Sequence, residues 1–139
     1  MNQGSANKLL ETRLLLVEDF PDDQRLMALL LTRAGAEVIL ECNGEGALEQ
    51  FLLSQTNGKV FDGILMDLQM PGMNGIEATK RLRSRGFEGP IVAITAHGDR
   101  DTESEWRAAG CTSYLAKPFK AQEFVEIVTQ ALEYSPVAS

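Results

Sequence analysis

The chain has 139 residues, 44% hydrophobic and 24% charged, the composition of one globular domain. At this length a fold can bury about two thirds of its unfolded surface and needs no disulfide staples. Thirteen Lys and Arg against twenty Asp and Glu leave a net charge of -7, which disfavours direct nucleic-acid binding and suits a cation site. The longest apolar run, residues 26–31, is too short to cross a bilayer, and residues 1–8 lack the apolar core of a signal peptide. A cytoplasmic protein with no membrane segment is expected.

Residues 1–11 are expected to form a flexible leader, 12–134 the folded domain and 135–139 a loose tail. Within the domain, short apolar runs alternate with helical patterns. A strand over 13–17 (RLLLV) precedes a helix over 22–34, with Leu26, Leu29, Leu30 and Arg33 at helical spacing and Gly35 as its stop. A more mixed strand over 37–40 (EVIL) suits a sheet edge, and the helix over 44–54 places Ala47, Leu48, Phe51 and Leu52 on one face. The third strand, 63–66 (GILM), leads to a helix over 75–85 with Asn74 as N-cap and Glu77 completing a capping box. A strand over 91–94 (IVAI) is followed by a helix over 102–109, where Thr102 and Glu105 repeat that device and Gly110 ends it. The last pair is a strand over 113–116 (SYLA) and a helix over 120–134 with Phe124, Ile127, Val128, Ala131 and Leu132 as its apolar stripe. Cys42 and Cys111 have no paired spacing and are expected as small buried residues.

This alternation predicts an α/β fold: a doubly wound, five-stranded parallel sheet with helices on both faces. Its working site should lie beyond the carboxyl ends of the strands. Those ends carry chemistry. The first strand runs into Glu18 and Asp19, the third into Asp67, the fourth into Thr95 and the fifth into Lys117 and Pro118. If strands one, three, four and five are neighbours, these side chains meet at one edge of the sheet. There three carboxylates would repel one another, by about 4 kcal/mol for a pair 4 Å apart at an effective dielectric of 20. A hard cation offsets that repulsion, and the all-oxygen ligand set fits Mg2+ better than zinc. A carboxylate beside Mg2+ and a fixed ammonium is a competent nucleophile toward phosphorus, and the Thr95 hydroxyl can donate to a phosphoryl oxygen.

The stretches LLLVED (14–19), GILMDLQMPGMNG (63–75), IVAITA (91–96) and SYLAKPF (113–119) together resemble a response-regulator receiver domain of two-component and phosphorelay signalling. The resemblance covers about residues 13–132, and the style of MDLQMPGMNG is similar to the receivers of hybrid sensor histidine kinases. It implies the flavodoxin-like strand order 2-1-3-4-5 and Asp67 as phosphoacceptor. Glu18, Asp19, Asp67 and the Gln69 backbone carbonyl would hold Mg2+, with Mn2+ as a substitute. Lys117, Thr95 and Ala96 would bind the phosphoryl group, Thr95 and Tyr114 would form a switch pair, and the Lys117–Pro118 bond would be cis. The implied partner is a histidine kinase or histidine phosphotransfer protein. The domain would modify only itself, taking a phosphoryl group and losing it slowly to water, rather than turning over a substrate.

Taken singly, these residues have ordinary explanations: Glu18 and Asp19 as a solvated turn, Asp67 as a turn residue, Lys117 as a surface charge and Tyr114 as core. Trp106 reads as packing, and Lys80, Arg81, Arg83 and Arg85 as a solvated helix face. His97, the one histidine, lies in a loop without any nucleotide-binding segment. Competing functions remain. An Asp-nucleophile phosphatase needs a proton-relaying acid where Gln69 stands. A flavodoxin-like electron carrier needs a phosphate-cradling loop where the acidic segment 18–23 stands. A pseudo-receiver would dock partners without chemistry.

Overall fold

The computed structural model describes residues 8–70, 72–96 and 100–133. Five strands, β1 (Arg13–Val17), β2 (Glu37–Glu41), β3 (Gly63–Asp67), β4 (Ile91–Thr95) and β5 (Ser113–Ala116), alternate with five helices. The helices are α1 (Pro21–Arg33), α2 (Gly44–Asn57), α3 (Gly75–Ser84), α4 (Arg100–Ala109) and α5 (Ala121–Ala131). All strand pairings are parallel, in the order β2-β1-β3-β4-β5.

Period-two alternation divides each central strand between two cores. Leu15, Val17, Ile64, Met66, Ile91 and Ala93 face one cluster with Phe51, Leu82 and Trp106. Leu14, Leu16, Leu65, Val92 and Ile94 face the other with Met27, Leu31, Phe124 and Val128. Strands buried on both faces need apolar side chains at every position, which explains the unbroken runs in β1, β3 and β4. The mixed strand β2 is an edge, as its composition suggested.

Several local expectations need correction. On α1 the buried residues are Met27 and Leu31, whereas Leu26 and Leu29 are exposed. The run LMALLL offers apolar side chains on two helical faces, so periodicity alone left the phase open. Arg83 is no solvated charge: its guanidinium donates to the carbonyls of Phe87, Gly89 and Gly110 at 2.7–3.1 Å and lies over the Phe87 ring. It ties the end of α3 to two loops. Cys111 is buried but Cys42 is exposed. Helix α4 begins at Arg100, so Thr102 lies inside its first turn and not at a cap. The acidic residue at 103 suits the positive end of a helix that starts there.

Other local signals hold in part. Asn74 caps α3 by accepting from the Glu77 N–H at 2.9 Å. The Glu77 side chain pairs with Arg81 one turn on, so the reciprocal half of a capping box is not made. Asn74→Ala should cost about 1 kcal/mol, read as a lower urea midpoint with an unchanged m-value. Trp106 is buried, as packing required. Within the expected leader, Leu9 is 1% exposed and its N–H donates to Ala34 O at 2.8 Å. Residues 1–7, the tail at 135–139 and His97 lie outside the described residues.

Candidate functional site

Parallel pairing brings the carboxyl ends of β1, β3, β4 and β5 side by side. Val17 pairs with Met66, Asp67 with Ile94, and Thr95 with Ala116. The residues that follow these positions meet at one edge of the sheet. Carboxylate oxygens of Glu18, Asp19 and Asp67 lie within 4.8 Å of one another. The three acidic residues come from two segments nearly fifty residues apart, so the cluster is a product of topology.

Two of the carboxylates are held by hydrogen bonds at the ends of their strands. Glu18 is 1% exposed; its backbone N–H donates to Glu41 O at 3.0 Å, and its Oε2 accepts from the Phe20 N–H at 3.1 Å. Asp67, 5% exposed, ends β3 and accepts from the Gln69 N–H at 2.9 Å. Gly75 opens α3 directly behind it. A Cβ there would meet the Asp67 carbonyl oxygen and lie 2.7 Å from Leu68 Cα, so only glycine lets the helix approach this loop.

Lys117 follows β5, and its backbone N–H donates to Thr95 O at 2.8 Å. The Lys117–Pro118 peptide is cis. The ammonium Nζ lies 2.9 Å from Glu18 Oε1 and 2.8 Å from Asp23 Oδ2. Thr95 is buried at the end of β4, and Ala96 is half-buried beside it. Tyr114 is exposed, which the core explanation did not foresee, and its ring lies 5.5 Å from that of Trp106.

Charge crowding shows in the titration of the site. Burial pushes the Asp67 carboxyl up to about 8; the Gln69 N–H opposes this, and the hydrogen bond and charge of Glu18 add to it. Burial alone would lower the Lys117 ammonium, but hydrogen bonds with Asp23 and Glu18 carry it above its ordinary value. Burial likewise raises the Cys111 thiol to about 11, which makes it a packing residue and not a nucleophile.

The arrangement fits a divalent cation. Glu18 Oε1 is buried and lacks a hydrogen-bond donor of good geometry, although Lys117 stands within ion-pair range. One carboxylate oxygen of Glu18 lies within 4.8 Å of oxygens of Asp19 and Asp67. An all-carboxylate set is hard-cation chemistry.

Two neighbours on α1 were not among the sequence candidates. Gln24 donates to the backbone carbonyls of Glu18 and Glu41 at 3.1 and 3.2 Å, which ties α1 to the ends of β1 and β2. Asp23 reaches Lys117. Pro21 at the first helical position was the available signal: it places the helix start early enough to turn Asp23 toward the site.

Comparison with known proteins shows the family and the fold. The family model of the response regulator receiver domain matches residues 14–129. Hybrid signal transduction histidine kinase I of Dictyostelium discoideum is 31% identical over 135 residues, covering 94% of this chain but 8% of the kinase. Two-component response regulator 24 of Arabidopsis thaliana is 34% identical over 114 residues, covering 82% of this chain and 79% of that protein. The crystal structure of a response regulator receiver protein from Burkholderia phymatum superposes with a TM-score of 0.75 at 33% identity, covering 90% and 98% of the two chains. Among the described residues no helix is long and apolar enough to cross a membrane. The chain belongs to the response regulator receiver domain family of two-component signalling.

Proposed function

We propose that the domain accepts a phosphoryl group on Asp67 from a phosphohistidine donor and thereby changes the surface it offers to a partner. The supporting observation is convergence: three carboxylates within 4.8 Å of one another and one ammonium pairing with Glu18, drawn from three strand ends. An Asp67 carboxylate oxygen attacks phosphorus in line with the donor's P–N bond. The P–O bond forms as P–N breaks, and the imidazole leaves with the electron pair.

Mg2+, for which Mn2+ could substitute, would neutralise charge on the phosphoryl oxygens. Glu18, Asp19, Asp67 and the Gln69 carbonyl are the groups that would hold it. Lys117 adds a second positive charge, and the Thr95 hydroxyl and Ala96 N–H donate to the remaining oxygens. The new negative charge draws the Thr95 hydroxyl toward it and the Tyr114 ring turns inward, reshaping the surface around the fourth and fifth elements. The donor is a histidine kinase or histidine phosphotransfer protein in the cytoplasm, where nucleotide triphosphate feeds phosphohistidine. Water then removes the phosphoryl group slowly. Gln69, unable to relay a proton, argues against a turning-over phosphatase.

Incubation with acetyl phosphate and Mg2+, followed by intact-mass analysis, tests the proposal. Wild type should gain one phosphoryl group, while Asp67→Asn and wild type in EDTA gain none. Unlabelled wild type would leave the docking-module alternative. Labelling of Asp67→Asn would move the acceptor elsewhere.

A further inference from the structure

The Lys117 ammonium has three N–H donors. Its ion pairs go to Glu18 and Asp23, and among the described residues none goes to Asp67. The two partners differ in what their release would require. Glu18 has a fully buried carboxylate that cannot exchange its pairing for water, whereas the Asp23 side chain is 34% exposed. Asp23 also sits in the first turn of α1, where the helix's positive end stabilises its charge without Lys117.

We propose that Asp23 is a positioning residue that holds Lys117 on the α1 side of the site until a phosphoryl group on Asp67 displaces it. The inference rests on Asp67 as the acceptor. Asp23 is the partner given up, because solvent compensates its carboxylate at once. The exchange ties the first turn of α1 to the state of the site. Linkage makes it reciprocal: a partner that engages Asp23 on α1 favours the phosphorylated form.

The test uses the full chain with Mg2+ and beryllium fluoride, a mimic of the phosphoryl group, with binding followed by fluorine NMR. Asp23→Asn should bind about five-fold tighter than wild type, the range of a partly exposed ion pair. Asp22→Asn, which removes an equal charge from an exposed neighbour, controls for bulk electrostatics and should stay within about two-fold. In a Lys117→Gln background the effect of Asp23→Asn should vanish, a result that general loosening of α1 would not produce. Equal or weaker binding by Asp23→Asn, or an effect that persists without Lys117, overturns the inference. Wild type that binds no beryllium fluoride defeats the Asp67 proposal itself, and this inference falls with it.

Discussion

Gly75→Ala should destabilise the domain by about 1–2 kcal/mol net, against the sign that helix propensity gives. Alanine in place of glycine inside a helix ordinarily stabilises by roughly 1 kcal/mol. Here the added methyl would press on the Asp67 carbonyl oxygen, 2.7 Å from Leu68 Cα and 2.9 Å from Asp67 C. These are backbone atoms of the segment that carries the acceptor, so no side chain can rotate away. Either α3 withdraws and uncovers Ala78 and Leu82, or the loop moves and Asp67 leaves its neighbours. Urea denaturation of the two proteins measures the first outcome, and acetyl phosphate labelling the second. A variant as stable as wild type, and labelled as fast, would show that the close approach carries no cost.

Asp67→Asn should raise the stability of the metal-free protein, by an amount that grows with pH. The folded carboxyl titrates at about 8 against an ordinary value of 3.8. A carboxyl raised on folding contributes all its stability below the unfolded value and loses it as pH climbs toward the folded one. Wild type without metal should therefore weaken between about pH 4 and 8, while the non-titrating Asn variant escapes that loss. At pH 8 the expected gain is about 2–3 kcal/mol, roughly half of what the displacement would be worth at about 1.4 kcal/mol per pH unit. The discount allows for solvent that reaches the half-exposed Asp19 beside it. Millimolar Mg2+ should reverse the ranking, since a cation bound only by the folded state stabilises it by mass action. Melting curves of both proteins across this pH range, in EDTA and in Mg2+, check the claim. A variant that melts below wild type at pH 8 in EDTA would contradict the crowding.

Much of the site was legible because its residues sit at strand ends, and the strands announce themselves. Unbroken runs such as LLLV and IVAI leave few structures other than a doubly covered sheet. The polar residue that ends each run then lies at the sheet's carboxyl edge. What stayed hidden depended on contacts between distant segments. Asp23 counted only as part of a repulsive acidic segment, because nothing local reveals its pairing with Lys117, 94 residues away. Arg83 looked solvated because nothing local reveals three carbonyls converging on it from the segments at 87–89 and 110.

By itself the sequence determined the alternation of strands and helices, the edge position of β2, and the identities of the acid, hydroxyl and ammonium groups. Those follow from side-chain chemistry and local periodicity, which act over a few residues. Only the tertiary structure decided which face of α1 turns inward, how closely the three carboxylates approach, and which acidic groups Lys117 pairs with. Such choices depend on distances between segments far apart in the chain, set by the packing of helices onto a parallel sheet.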